Sequence, residues 1–166
     1  MSIVVENGTG LASADSYLSV ADADTYHSDR ANTSWTGTDE VKEIALRKAT
    51  QYLDSTYNWI GKIYSTTQSL SWPRVGVLDR QGRDLEGSVP QPIKNAIAEL
   101  AMISLTLDLV SNTTSDDYIK REKVGPLETE YKDGAPAQTE YNFVARILSG
   151  LYTSKTTGSS IGLTRA

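Results

Sequence analysis

The chain has 166 residues, 39% hydrophobic and 22% charged, with a net charge of −5 and no cysteine. That size suits one compact domain with its own core, and this balance excludes a disordered chain. The missing thiols exclude disulfides, thiolate zinc sites and cysteine nucleophiles.

The charge is unevenly placed. Residues 1–40 hold seven acids against Arg30 alone, residues 41–104 are net +2, and the remainder is net −1. An acidic N-terminal face argues against wrapping duplex DNA with that surface, because such binding draws on neutralised phosphates. It suits solubility, or docking onto a basic neighbour. "MSIVVENGTG" has no basic segment and no long apolar run, so no secretory signal is expected.

In chain order, Ser19 is a good N-cap for a first helix through "VADADTYHSDRA", with acids in the first turn where the helix dipole favours them. Thr38 caps a second helix, "DEVKEIALRKATQYLDSTY". There Val41, Ile44, Ala45, Lys48, Ala49, Tyr52 and Leu53 recur at helical spacing as one apolar stripe. Residues 58–90 are turn-rich, with a small hairpin or loop expected around Asp79–Gly82. Pro90 and Pro92 open a third helix. From Ile93 to Val110 it is apolar on nearly all sides, which predicts a central helix. Glu99 and Asp108 interrupt it, and it is too short and polar to span a bilayer.

"SNTTSDD" (111–117) reads as a linker. An arm over about 118–132 follows, predicted as two extended pieces joined at Gly125-Pro126. Ile119, Lys120, Arg121, Glu122 and Lys123 precede the joint; Leu127, Glu128, Glu130 and Tyr131 follow it. Tyr141, Val144, Ile147, Leu148 and Leu151 share one face of a fourth helix closing near Gly150–Tyr152. The expected organisation is mainly α: a small bundle of three to four helices over 1–152, with the extended arm, and a flexible tail over 153–166.

Reactive groups are sparse. His27 is the only histidine, beside Asp24 and Asp29, and reads as a solvated or capping side chain. Asp22 and Asp24 stand two apart on a helix and point away from each other, which is poor for a metal. Gly61-Lys62 lacks the upstream glycine of a phosphate loop. The expectation is a non-enzymatic protein without metal or cofactor. One other chemistry is present: residues 57–83 interleave aromatics with bases. Trp59 and Trp72 beside Arg74 and Arg80 have the residue types of a single-strand stacking platform. The competing reading packs both tryptophans over the third helix.

The order "SADSYLSVADADTYHSDRA", "EIALRKATQYLD", "SLSWPRVGVLDRQG", "VPQPIKNAIAELA" and "IKREKVGPLETEY" resembles one family of tailed-bacteriophage proteins, over roughly residues 12–152. These are head–tail connector, adaptor or head-completion proteins, some labelled DnaT-like single-stranded DNA-binding protein. The resemblance implies a helical bundle assembled as a ring, typically a dodecamer, beneath the portal in the virion neck. It implies synthesis in the host cytoplasm, with partners in the portal and a tail or tail-completion protein. Packaged DNA would pass through the channel without sequence-specific binding, and no membrane would be involved. The arm residues Ile119, Lys120, Arg121, Glu122, Lys123, Leu127, Glu128, Glu130 and Tyr131 would make ring contacts or face the DNA channel. The acidic Asp22, Asp24 and Asp29 of an adjacent copy are candidate partners for the bases of the arm. In the tail, Ile161, Leu163 and Arg165 have the spacing of a strand added to a portal groove. The alternative function is a replication accessory protein that binds single-stranded DNA through Trp59, Trp72, Arg74 and Arg80.

Overall fold

The computed structural model describes residues 2–110, 121–124, 127–130 and 141–153. Four helices carry the described fold: α1 (Val20–Ser28), α2 (Asp39–Thr56), α3 (Gln91–Ser104) and α4 (Asn142–Ile147). Six short strands make three antiparallel pairs: β1 (Asn58–Trp59) with β6 (Tyr152–Thr153), β2 (Lys62–Ile63) with β3 (Arg74–Val75), and β4 (Arg121–Val124) with β5 (Leu127–Glu130). Among the described residues helices are the dominant elements, roughly consistent with the expected mainly α class.

The helix starts follow their local signals. Ser19 caps α1, its hydroxyl accepting from the Asp22 amide at 3.1 Å and donating to the Asp22 carboxylate at 2.7 Å. Thr38 occupies the cap position of α2, and Pro90 precedes α3 with Pro92 in its first turn.

The buried face of α2 is rotated from the expected stripe. Ala45, Leu46, Ala49, Thr50, Tyr52 and Leu53 are buried, whereas Val41 and Ile44 are 46% and 52% exposed. α2 packs along α3, whose Ile93, Ala96, Ile97, Leu100 and Ala101 are buried, and the side of its first two turns that carries Val41 and Ile44 stays exposed. α3 is central but shorter than expected. It ends at Ser104, where the Ser104 hydroxyl donates to the Ala101 carbonyl and the chain tightens into bonds from Leu105 to Met102 and Thr106 to Ile103. Leu107 and Val110, placed on the expected helix, are 63% and 55% exposed; Leu109 turns back into the core. α4 adds Val144 and Leu148.

β4 and β5 form the hairpin expected from the arm, on either side of Gly125-Pro126. Its register sets Arg121 opposite Glu130 and Lys123 opposite Glu128. Ile119, Lys120 and Tyr131 lie outside the described residues, as do the 111–117 linker and the tail with Ile161, Leu163 and Arg165. Thr153, placed at the start of the tail, instead pairs with Asn58.

His27 is not a surface residue. It is 1% exposed, stacked on Trp35 with ring centroids 4.8 Å apart. Its Nε2 lies 3.1 Å from the Ala98 carbonyl of α3, and its Nδ1 lies 3.0 Å from the Asn32 side-chain amide. A carbonyl only accepts, so Nε2 carries the proton and Nδ1 accepts from Asn32 in a neutral ring. α1 looks polar in sequence because this one ring, with Ala23, is its buried contribution.

Burial lowers the His27 pKa from its ordinary 6.5, outweighing the acids Glu99 and Asp24, which act the other way. The unfolded chain therefore takes up the proton first as pH falls. The stability from neutral His27 is full above the ordinary value and is lost as pH drops from there through the lower folded value. Denaturant midpoints of the native protein should fall across that window, and His27→Phe should flatten this part of the profile. Parallel profiles for the two proteins would contradict the assignment.

Candidate functional site

A buried network organises the aromatic loop. The Tyr17 hydroxyl donates to Asp54, 2.9 and 2.8 Å from its two oxygens, and accepts from the Trp72 amide at 3.0 Å. The Ser71 amide donates to the same Asp54 carboxylate at 2.9 Å. Burial raises the Asp54 pKa above the ordinary carboxylate value, against the opposing pull of Ser71 and Tyr17. Burial, followed by the Asp54 charge, also pushes the Tyr17 pKa upward.

Held this way, Trp72 is fully buried, with a cis bond to Pro73, and Trp59 packs on it edge to face at 5.8 Å. The Trp72 indole N–H has no hydrogen-bond partner among the described residues. Arg74 is half-buried. Its guanidinium donates to the carbonyls of Ile60, Ser71 and Gly61 at 2.7, 3.0 and 2.9 Å, tying β3 to the β1–β2 turn. The stacking platform expected from Trp59, Trp72, Arg74 and Arg80 is thus corrected. Trp72 presents no face to solvent, and Arg74 has most of its donors committed to backbone. Arg80 alone of the four is well exposed.

Arg80 stands at the start of a tight turn. Asp79 accepts from the amides of Gln81 and Arg83 at 2.9 and 2.8 Å and from Arg83 Nε at 2.5 Å. That turn, with Gly82 at φ +78°, is the expected hairpin, and it swings Arg80 over α4, where its guanidinium bonds the Ser149 hydroxyl. A groove of about 490 Å³ lies between this loop and the end of α4. Arg80, Arg83 and Arg146 line it, together with Asp79 and Asp84. A second hollow beside it, lined by Asn142, Ala145 and Tyr152, shares Arg80, Arg146 and Ser149 with the first. Sequence reasoning missed Arg146. Its signal was a base on α4 set off the Val144–Leu148 face.

The acidic residues of α1 separate in the structure. Asp24 accepts from Trp35 Nε1 at 2.6 Å and Lys42 Nζ at 2.8 Å. Partial burial opposes its ionisation, but the bonds from Lys42 and Trp35 prevail and hold its pKa below the ordinary value. Asp22 is exposed at the α1 cap and Asp29 is exposed past its end; both line a shallow hollow with Arg30 and Lys94. Arg121, Glu122, Lys123, Leu127, Glu128 and Glu130 all lie in the β4–β5 hairpin.

Among the described residues no group of acids and histidine is placed to hold a metal, and no helix is long and apolar enough to cross a membrane. No curated protein and no solved structure matches the chain. A family model matches residues 1–166, and the chain belongs to the family described as "Putative DnaT-like ssDNA binding protein".

Proposed function

We propose that the chain binds single-stranded nucleic acid without sequence preference. The observation that carries this reading is the family match over residues 1–166, whose description names single-stranded DNA. The described fold supports it with exposed arginines on one concave surface. Backbone-tracking contacts of this kind need cations and an aromatic face, not a catalytic centre.

A labelled oligo-dT titrated at several salt concentrations tests the reading. The logarithm of the affinity should fall linearly with the logarithm of salt, by about 0.7 per phosphate engaged. Trp72 fluorescence should stay unquenched, because its ring meets no solvent. Absence of binding even at low salt would refute the proposal.

The second reading is a non-enzymatic head–tail connector that forms a ring under the portal. Its support is of another kind. β4 and β5 pair only with each other among the described strands, leaving two open edges, and such a hairpin is marginal by itself. Val41, Ile44, Leu107 and Val110 also expose apolar surface suited to a partner. On this reading the arm and Asp22 and Asp29 make ring contacts, the tail docks on the portal, and the protein resides in the virion neck. Mass measurement of the chain alone and mixed with portal protein separates the two functions. A ring-sized complex without oligonucleotide affinity favours the connector.

A further inference from the structure

The cations of this protein are not equivalent. Arg74 is committed to three carbonyls, Lys42 to Asp24, Arg47 to Asp15, and Arg83 to Asp79. Arg80 and Arg146 are both exposed, and neither has a carboxylate partner among the described residues. They come from elements far apart in sequence, and the fold brings them to the same two adjoining hollows.

Of the acids that line the groove, Asp79 is ion-paired with Arg83, and Asp84 is an exposed carboxylate that accepts from the Glu86 amide at 2.9 Å. Three arginines against these two carboxylates leave the lining net positive. The lining also includes apolar side chains, Leu85, Val89 and Ile147 half-buried and Pro90 buried, beside the polar Ser88 and Gln91. Across the second hollow stands Tyr152, half-buried, its ring fixed edge-on against Tyr57 at 4.8 Å.

We propose that this groove holds the sugar–phosphate backbone of a single strand, with Arg80 and Arg146 on successive phosphates and Tyr152 under a base. The proposal rests on the strand-binding reading and assigns its site. Guanidinium groups match phosphate oxygens in two-pronged geometry and stay charged at any physiological pH. A volume of about 490 Å³ falls in the range of sites that enclose a small ligand, so one nucleotide unit fits while the chain runs on. An aromatic face beside two cations is the minimum set for sequence-independent stacking. The Arg80–Ser149 bond steadies the first guanidinium, so less freedom is lost when a phosphate arrives.

The test is a salt series of fluorescence anisotropy with labelled oligo-dT on the full chain. Arg80→Ala/Arg146→Ala should weaken binding roughly tenfold or more and flatten the log–log salt slope by about 0.7 for each phosphate no longer engaged. Tyr152→Leu should weaken binding by about tenfold and leave the slope unchanged, since stacking releases no counterions. Lys94→Ala, in the hollow beside α1, should change neither. Arg146 is exposed on α4, so Arg146→Ala alone should keep the fold and still lower the slope.

If native protein binds the strand and both arginine variants match it in affinity and slope, the groove is not the site, although strand binding survives. If native protein binds no strand, both claims fall. If polyaspartate occupies the groove and oligo-dT does not, it is a docking surface for an acidic protein segment, which also overturns the proposal.

Discussion

Trp72→Ala is expected to lower stability by about 3–5 kcal/mol, enough to unfold much of the protein at 37 °C. The ring is completely buried beneath the aromatic loop, meets Trp59 edge to face, and follows the amide that donates to Tyr17. Removing it opens a cavity between that loop and the helices, and the Tyr17–Asp54–Ser71 bonds hold the loop backbone from collapsing into the space. Chemical denaturation monitored by far-UV circular dichroism measures the loss. A destabilisation under about 1 kcal/mol would mean that the ring is not a core group. The variant also separates two explanations of any reduced oligonucleotide binding. If Trp72 acts by packing, affinity should disappear only in proportion to the unfolded fraction. The folded fraction should bind as the native protein does.

The second large effect is expected at Asp54. Asp54→Ala removes the acceptor of the Tyr17 hydroxyl and the Ser71 amide together, leaving two donors without their acceptor, at a cost of about 3 kcal/mol. Asp54→Asn keeps an acceptor and loses less. The two proteins also differ in pH dependence. Burial raises the Asp54 pKa in the folded state, so the folded chain binds the proton more tightly than the unfolded chain. The contribution of Asp54 is therefore fullest at low pH. It diminishes as pH rises from the ordinary carboxylate value to the raised folded value. Asp54→Asn cannot titrate, so its stability relative to native protein should improve as pH climbs through that window. His27 acts with the opposite sign, losing stability as pH falls, and its contribution cancels in the difference between native protein and Asp54→Asn. A constant difference between native and Asp54→Asn across the window would show that Asp54 does not hold a raised pKa.

Much of the local architecture was legible in advance. The cap positions Ser19 and Thr38, the prolines opening α3 and the turn at Asp79–Gly82 were all correctly placed. Each depends on residues within about four positions of one another, so the physics is contained in a short window of sequence. Other expectations were displaced: the α2 stripe rotated off Val41 and Ile44, α3 stopped at Ser104, and His27 went inside. Periodicity identifies an apolar face without saying how much of it a neighbour covers. A lone histidine gives no local sign that a carbonyl 71 residues away will accept its proton.

The candidate site divides along the same line. Composition and order along the chain determined that arginines and aromatics would interleave over residues 57–83, that the first forty residues would be acidic, and that no thiol chemistry was available. Only the tertiary structure decided which of those groups face water. Tyr17 and Asp54 reach across 37 residues, and Tyr17 and Trp72 across 55, to draw one tryptophan fully inside and set Arg74 against backbone. The same packing leaves Arg80 outside, beside Arg146. A side chain's chemistry belongs to its own residue, but its exposure is set by distant elements that close over it or leave it open.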